Sequence, residues 1–101
     1  MTKTFKNKIL VIEDDVDVQD LMSAFFKSRG YEVAIYEAAE AAIDDLQYGR
    51  VKCGVIVTDL MLPNMSGIEF TKRTKALGID IPIILMTANK KPSTNKRMTP
   101  F

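Results

Sequence analysis

Two short apolar runs in this sequence each end in carboxylic acids. The β-branched run 55–58 is followed by Asp59, and the apolar run 9–12 is followed by Glu13 and Asp14. Open α/β sheets bind their ligands beyond the carboxyl ends of the strands. Asp59 on its own could simply begin a turn. Two buried-type strands that both end in acids instead predict neighbouring parallel strands with their carboxylates gathered at one edge.

A cluster of three carboxylates favours a bound metal ion. Two unit charges at ~4 Å repel by about 4 kcal/mol at an effective dielectric constant near 20, and a divalent cation relieves this repulsion. The chain contains no histidine and a single cysteine. A ligand set made of oxygen atoms favours Mg²⁺ over zinc. A carboxylate beside Mg²⁺ can attack a phosphoryl group and form an acyl phosphate, which is a reaction that needs mainly positioning and charge neutralisation.

A threonine after the last predicted strand is a further candidate for this chemistry. Thr87 follows an apolar strand pattern, and its hydroxyl could donate a hydrogen bond to a phosphate oxygen on Asp59. The alternative is an ordinary threonine at the end of a strand. The sequence alone leaves both interpretations open.

The elements that must position these residues alternate between strand and helix. Hydrophobic periodicity and glycine stops predict strands over 8–12, 32–36, 55–59 and 81–86, and helices over 16–29, 38–47 and 66–77. This alternation predicts a parallel sheet with right-handed crossovers and helices on both faces. All the candidate polar residues then follow the carboxyl ends of strands, on one rim.

Length and composition predict one small cytoplasmic domain. The chain has 101 residues, which is enough for a single modest core, and its lone Cys53 excludes an intrachain disulfide. The apolar run 9–12 is too short for a signal peptide. No segment approaches the ~18 apolar residues of a membrane span, so we expect no membrane partner.

The charge distribution changes sharply near the carboxyl end of the chain. Residues 1–87 contain 10 Lys+Arg and 13 Asp+Glu, a net charge of −3, whereas residues 88–101 contain four basic residues and no acid, a net charge of +4. This shift predicts a domain over residues 1–88 and a basic, disordered tail over residues 89–101. Contact of the tail with a phosphate or with nucleic acid is the alternative.

The motifs taken together resemble the receiver domain of two-component response regulators. They are the acids 13–15 after the run 9–12, the segment Asp59-Leu-Met-Leu-Pro-Asn-Met-Ser-Gly67, and the segment Ile81-Pro-Ile-Ile-Leu-Met-Thr-Ala88. The resemblance covers about residues 7–88. It implies an α/β fold of the flavodoxin-like (CheY-like) class, a doubly wound parallel sheet of order 2-1-3-4-5, here truncated to about four strands and three helices.

The resemblance also implies a role for each candidate residue. Asp59 would accept a phosphoryl group from a histidine kinase or phosphotransfer protein. Asp14 and Asp59 would bind Mg²⁺ directly, together with the backbone carbonyl of Met61, and Glu13 would hold the ion through water. Thr87 would be the switch hydroxyl. The chain would be a signalling domain rather than an enzyme, with at most slow Mg²⁺-assisted loss of the acyl phosphate.

The resemblance ends after Ala88, where 13 residues remain. The family continues there with a helix, a strand ending in Lys-Pro and another helix. Its lysine has no secure counterpart, because Lys91-Pro92 lies too close to Thr87 and Thr99-Pro100-Phe101 has threonine in the lysine position. We therefore expect strand four to be an exposed apolar edge that favours self-association or dependence on a partner.

Four functional hypotheses follow from these residues. The leading one is a stand-alone, phosphorylated receiver in a phosphorelay, with no DNA-binding output domain in cis. The second is a degenerate receiver that acts as a non-phosphorylated protein-binding module. The third is a small Mg²⁺-dependent phosphohydrolase, for which the sequence offers no substrate pocket or general acid. The fourth is a gene fragment with a change of reading frame near residue 89.

Overall fold

A five-stranded sheet with helices on both faces organises the chain. The computed structural model describes residues 6–88 and 96–100. The strands are β1 (Lys8–Ile12), β2 (Glu32–Tyr36), β3 (Val55–Asp59), β4 (Ile83–Ala88) and β5 (Lys96–Pro100). The helices are α1 (Val16–Ser28), α2 (Ala39–Gln47) and α3 (Gly67–Ala76). Across the described residues, no helix is both long and apolar enough to cross a membrane.

The sheet order is β2-β1-β3-β4-β5. The first four strands are parallel, with Ile12 of β1 opposite both Tyr36 of β2 and Thr58 of β3, and with Asp59 opposite Met86 of β4. Their carboxyl ends therefore meet at one edge of the sheet. This arrangement confirms the predicted parallel α/β sheet and the flavodoxin-like order of its first four strands.

The strands are apolar on both faces because helices cover both sides of the sheet. Successive side chains of a strand point to opposite faces, so β1 contributes to two separate clusters. One contains Leu10, Ile12, Ala42, Ile56 and Phe70, with α2 and α3 supplying its helical residues. The other contains Ile9, Val11, Phe26, Val57 and Met86, with Phe26 supplied by α1. Burial of β1 and β3 between these clusters holds their acidic ends in place.

The predicted boundaries agree with the structure except in the last parallel strand. The helix ends differ from the prediction by at most one residue, whereas β4 begins at Ile83 and ends at Ala88, two residues later than predicted at both ends. Pro82 explains the late start, because proline has no amide hydrogen to donate to the ladder. Its carbonyl still accepts a 2.9 Å bond from the Ile56 amide.

The four predicted parallel strands are present, but residues 96–100 do not form the predicted disordered tail. These residues form β5, which pairs antiparallel with β4. A parallel neighbour would need a crossover of a dozen or more residues, and only seven separate Ala88 from Lys96, so the chain returns antiparallel. The rest of the predicted tail, 89–95 and 101, lies outside the described residues. The domain boundary at residue 88 stays a prediction.

The antiparallel return also corrects two expectations about the sheet edge. β4 is not an edge strand, because β5 covers its outer side, and the predicted self-association through β4 loses its structural basis. Thr99 and Pro100 pair with Leu85 and Ile84, at the end of β4 away from the acids. Thr99, which the sequence resemblance puts in the lysine position, therefore lies away from the acids.

Candidate functional site

The structure brings three of the predicted site residues together. One carboxylate oxygen each of Glu13, Asp14 and Asp59 lies within 4.8 Å of the other two. Glu13 and Asp59 are buried, with 0% and 4% of their surfaces exposed, whereas Asp14 is exposed. The cluster is therefore anchored in the protein on two sides and open to solvent through Asp14.

Three hydrogen bonds from different elements hold Glu13. Its amide donates to the Tyr36 carbonyl at the end of β2, over 2.9 Å. Its backbone carbonyl accepts from the Gln19 side-chain amide of α1 at 2.6 Å, and its carboxylate accepts from the Asp15 amide at 3.0 Å. The main chain and the side chain of this buried acid are therefore both oriented.

The first turn of α1 begins directly at the acidic motif. Asp15 is the N-cap, and its carboxylate accepts bonds from the amides of Asp17 (2.9 Å) and Val18 (3.2 Å). Such a cap satisfies amides that have no partner within the helix. Since the Asp15 amide bonds to Glu13 at the same time, the start of the helix and the acid cluster form one connected unit.

Asp59 is held at the junction between β3 and the turn that follows. Its carboxylate accepts a 3.1 Å bond from the Met61 amide. The intervening Leu60 amide donates to the Met86 carbonyl of β4 over 2.8 Å, and the Thr58 hydroxyl donates to the Asp59 carbonyl over 3.1 Å. These bonds place the carboxylate at the sheet edge beside Glu13 and Asp14.

Gly67, the first residue of α3, lies directly against the backbone that carries Asp59. A β-carbon built on Gly67 would stand 2.7 Å from the Asp59 carbonyl oxygen and 3.1 Å from the Leu60 α-carbon. The Gly67 amide also donates to the Leu60 carbonyl over 2.9 Å. The turn after Asp59 can therefore close only if this position has no side chain.

An open groove of about 380 Å³ begins beside Asp14. Its other walls come from residues 37–41, around the start of α2, and from residues 62–64 in the turn after Asp59. The side chain of Met61 is 61% exposed near the same turn. The acid cluster thus faces a rim that a second molecule can approach.

The remaining predicted site residues are placed only by their backbone. Thr87 follows Met86, the register partner of Asp59, so it belongs to the edge that carries the acids. Its side chain lies outside the described part of the chain, and its role as a switch hydroxyl stays a prediction. The Met61 amide contacts Asp59, whereas metal binding by the Met61 carbonyl stays a prediction.

Tyr36 connects this edge of the sheet to α2. Its hydroxyl donates to Asp45 over 2.7 Å, and the Arg50 guanidinium bonds to Asp45 (3.1 Å) and Asp44 (2.9 Å). Burial, together with the Asp45 carboxylate, raises the pKa of Tyr36 to about 12. The hydrogen bond from Tyr36, followed by that from Arg50, lowers the pKa of Asp45. The strand β2, whose Tyr36 carbonyl accepts the bond from the Glu13 amide, is therefore fixed to α2 through Tyr36 and Asp45.

Sequence reasoning missed three residues that support the acids. Gln19 resembled any polar residue on the first turns of a helix, and no sequence signal distinguishes it. Tyr36 was assigned only as a strand residue. Gly67 was assigned only to the start of α3. The signal that could have suggested a close backbone approach was a glycine eight positions after Asp59, beyond a turn that contains proline.

Comparison with known proteins identifies the family of this chain. The family model for the response regulator receiver domain matches residues 9–99. The chain is 35% identical over 86 residues to the transcriptional regulatory protein FixJ of Bradyrhizobium diazoefficiens, covering 85% of this chain and 41% of FixJ. It is 31% identical over 81 residues to the response regulator protein TmoT of Ectopseudomonas mendocina, covering 80% of this chain and 36% of TmoT. The chain thus spans about two fifths of the length of these relatives.

Solved structures agree with this result. The crystal structure of FixJ-N superposes with a TM-score of 0.75 at 29% identity, covering 86% of this chain and 68% of that one. The response regulator TrrA of Thermotoga maritima, solved in complex with Mg²⁺ and BeF, has a TM-score of 0.73 at 26% identity, covering 83% and 71%.

Proposed function

Since this chain belongs to the response regulator receiver domain family, we propose that Asp59 accepts a phosphoryl group from a histidine kinase or phosphotransfer protein. The cluster of Glu13, Asp14 and Asp59, within 4.8 Å of one another at the open edge of the sheet, is the observation that supports this most directly. Receiver domains are signalling domains, and the product of this step is a phosphorylated protein rather than a released small molecule.

The transfer is a displacement at phosphorus. A carboxylate oxygen of Asp59 forms the new O–P bond while the P–N bond of the donor phosphohistidine breaks. The electron pair of that bond stays on the ring nitrogen, so a histidine that carries a proton on its other nitrogen leaves as neutral imidazole. The Met61 amide, which donates to a carboxylate oxygen of Asp59 over 3.1 Å, helps to orient the carboxylate for the attack.

The donor atoms at this site fit Mg²⁺. Three carboxylates and no nitrogen or sulfur ligand make up the cluster, and such hard oxygen donors suit a cation that keeps open positions for phosphate oxygens. The bound ion would neutralise charge on the phosphoryl oxygens during transfer. Asp14 and Asp59 would bind it directly, with the Met61 carbonyl, and Glu13 would act through water.

Two basic residues of β5 belong to the same edge by backbone register. Lys96 lies opposite Ala88 and Arg97 opposite Thr87. Because β5 runs antiparallel, its first residues, rather than its last, reach the carboxyl end of β4. We propose that this basic pair supplies the positive charge that the family places on a lysine, and that Thr87 acts as the switch hydroxyl.

A second candidate function is a protein-binding module without phosphorylation. One observation favours it: by chain order, the position of the family's lysine corresponds to Thr99, and the register places Thr99 away from the acids, opposite Leu85. The two candidates differ in whether Asp59 becomes modified.

Phosphorylation by a small donor tests the proposal. Wild type, Asp59→Asn and the matched control Asp80→Asn, which changes an exposed aspartate, would be incubated with acetyl phosphate and Mg²⁺. Intact-mass spectrometry would then count the phosphoryl groups. We expect one hydroxylamine-labile phosphoryl group on wild type and on Asp80→Asn, and none on Asp59→Asn or when EDTA removes the metal. Folded wild-type protein that stays unmodified would favour the binding module.

A further inference from the structure

Gln19 of α1 makes a contact with the acid cluster that its position in a helix does not predict. We infer that Gln19 is a positioning residue, which sets the affinity of the cluster for its cation by fixing the peptide between Glu13 and Asp14. The inference rests on the proposed function for the identity of the ion as Mg²⁺. The hydrogen bond on which it stands is independent of that function.

The contact joins a helix to the end of a strand. The Gln19 side-chain amide donates to the Glu13 backbone carbonyl over 2.6 Å, across six positions of sequence. Side chains on a helix surface ordinarily meet neighbours three or four positions away. Gln19 is instead directed back over the start of α1, towards the loop that carries the acids.

The bond from Gln19 restrains two candidate metal ligands, Glu13 and Asp14, because its acceptor is the carbonyl that lies between them. The Glu13 carbonyl belongs to the peptide group that joins Glu13 to Asp14, and this group is planar. Fixing its oxygen therefore restricts the dihedral angles on both sides, and with them the directions in which both side chains leave the backbone. The bond that the Glu13 amide donates to the Tyr36 carbonyl orients the preceding peptide group, and the bond from Gln19 completes the restraint.

The bond also closes a ring with the first turn of α1. The backbone amide of Gln19 donates to the Asp15 carbonyl over 2.9 Å, and the backbone amide of Asp15 donates to the Glu13 carboxylate over 3.0 Å. Asp14 is the member of the cluster that is exposed to solvent. Packing therefore restrains Asp14 less than the buried Glu13 and Asp59, and the ring restrains the backbone beside it.

Two variants of Gln19 separate positioning from charge. Gln19→Met removes the hydrogen-bond donor and keeps a side chain of similar length. Gln19→Glu is nearly isosteric and also removes the donor, but it adds a negative charge near the cluster, and charge alone would strengthen cation binding. Lys27→Met is the matched control, because it introduces the same residue at an exposed position in the last turn of α1.

Mg²⁺ affinity would be measured by amide NMR titration, which follows the folded resonances and is insensitive to a small unfolded population. Loss of groups that orient metal ligands typically weakens binding 10–100-fold, so we expect about a tenfold weaker affinity in Gln19→Met and a weaker affinity in Gln19→Glu. Lys27→Met should bind Mg²⁺ no more weakly than wild type. Unchanged affinity in Gln19→Met, or tighter binding in Gln19→Glu, would overturn the inference.

Hydrogen exchange provides a readout that does not require the metal. Without Gln19, exchange at the Asp15 amide should accelerate relative to amides in the middle of α1, whereas a general loss of stability would accelerate both together. If wild type binds no Mg²⁺, the proposed function fails, and the exchange at Asp15 still decides the role of Gln19. Equal acceleration along the helix would contradict that role.

Discussion

Gly67 lies so close to the backbone of Asp59 that a β-carbon on Gly67 would stand 2.7 Å from the Asp59 carbonyl oxygen. The contact joins the start of α3 to the residue that we propose is phosphorylated. Main-chain atoms on both sides of the contact cannot move aside as a flexible side chain can. The position of the Asp59 carboxylate is therefore sensitive to a residue that contributes no functional group of its own.

Gly67→Ala should weaken both the fold and the site. The added methyl group must displace the backbone of β3 or of α3, and overpacking of this kind costs about 1–3 kcal/mol. We expect the free energy of unfolding in urea to fall by that amount and the rate of phosphorylation by acetyl phosphate to fall as well. Gly78→Ala is the control, because its cost comes from a φ of +78° with no atom within 4 Å. It should lower stability and leave the phosphorylation rate unchanged.

Neutralising the basic pair of β5 should weaken the phosphorylated state. Lys96 and Arg97 lie by register at the edge that carries the acids, and a phosphoryl group adds about −1.5 to −2 charges there. We expect the double variant Lys96→Ala/Arg97→Ala to bind beryllofluoride with Mg²⁺ more weakly, by about tenfold or about 1.4 kcal/mol. Isothermal titration would measure this affinity.

The matched control for charge is Lys72→Ala/Lys75→Ala, which removes two positive charges from exposed positions of α3. Equal weakening in both double variants would show that net charge, and not the position of the basic pair, determines the affinity. Mg²⁺ binding without beryllofluoride should be no weaker in either variant, because removing positive charge favours a cation.

Stability should fall in alkaline solution partly through Cys53. This thiol is 7% exposed, and burial raises its pKa from 9.0 to about 11. A folded-state pKa above the unfolded value contributes stability at low pH, which is lost as the pH rises from about 9 through 11. Between pH 8 and pH 10 we expect wild type to lose about 1 kcal/mol more unfolding free energy in urea than Cys53→Ala. Parallel losses in the two proteins would contradict the buried-thiol explanation.

The order of the elements could be predicted from the sequence because it depends on local signals. Apolar runs such as residues 9–12 and 55–58, helical periodicity and glycine stops determined β1, β2 and β3 to the residue. The effect of Pro82 on the start of β4 was not predicted, because the missing amide hydrogen matters only where a neighbouring strand would accept its hydrogen bond. The acid cluster was predictable since parallel strands must bring their carboxyl ends to one edge.

The pairing of β5 could not be predicted from the sequence. Composition favoured a solvated tail, because Lys96 and Arg97 lie in a segment without acids. The strand forms because the outer backbone groups of β4 need hydrogen-bond partners, and the short connection lets the chain supply them only in the antiparallel direction. These backbone groups need partners only once the sheet has assembled, so the hydrophobic pattern of the sequence does not indicate this requirement.

By itself, the sequence determined which charged residues lie at the sheet edge. Residue type sets the side-chain chemistry, and the hydrophobic pattern indicates where each strand ends. Only the tertiary structure decided how those residues are held. Gln19 reaches the Glu13 carbonyl, and Gly67 lies against Asp59, because α1 and α3 pack where the sheet places them. Contacts between elements depend on distances in space, and neither residue type nor local spacing specifies those distances.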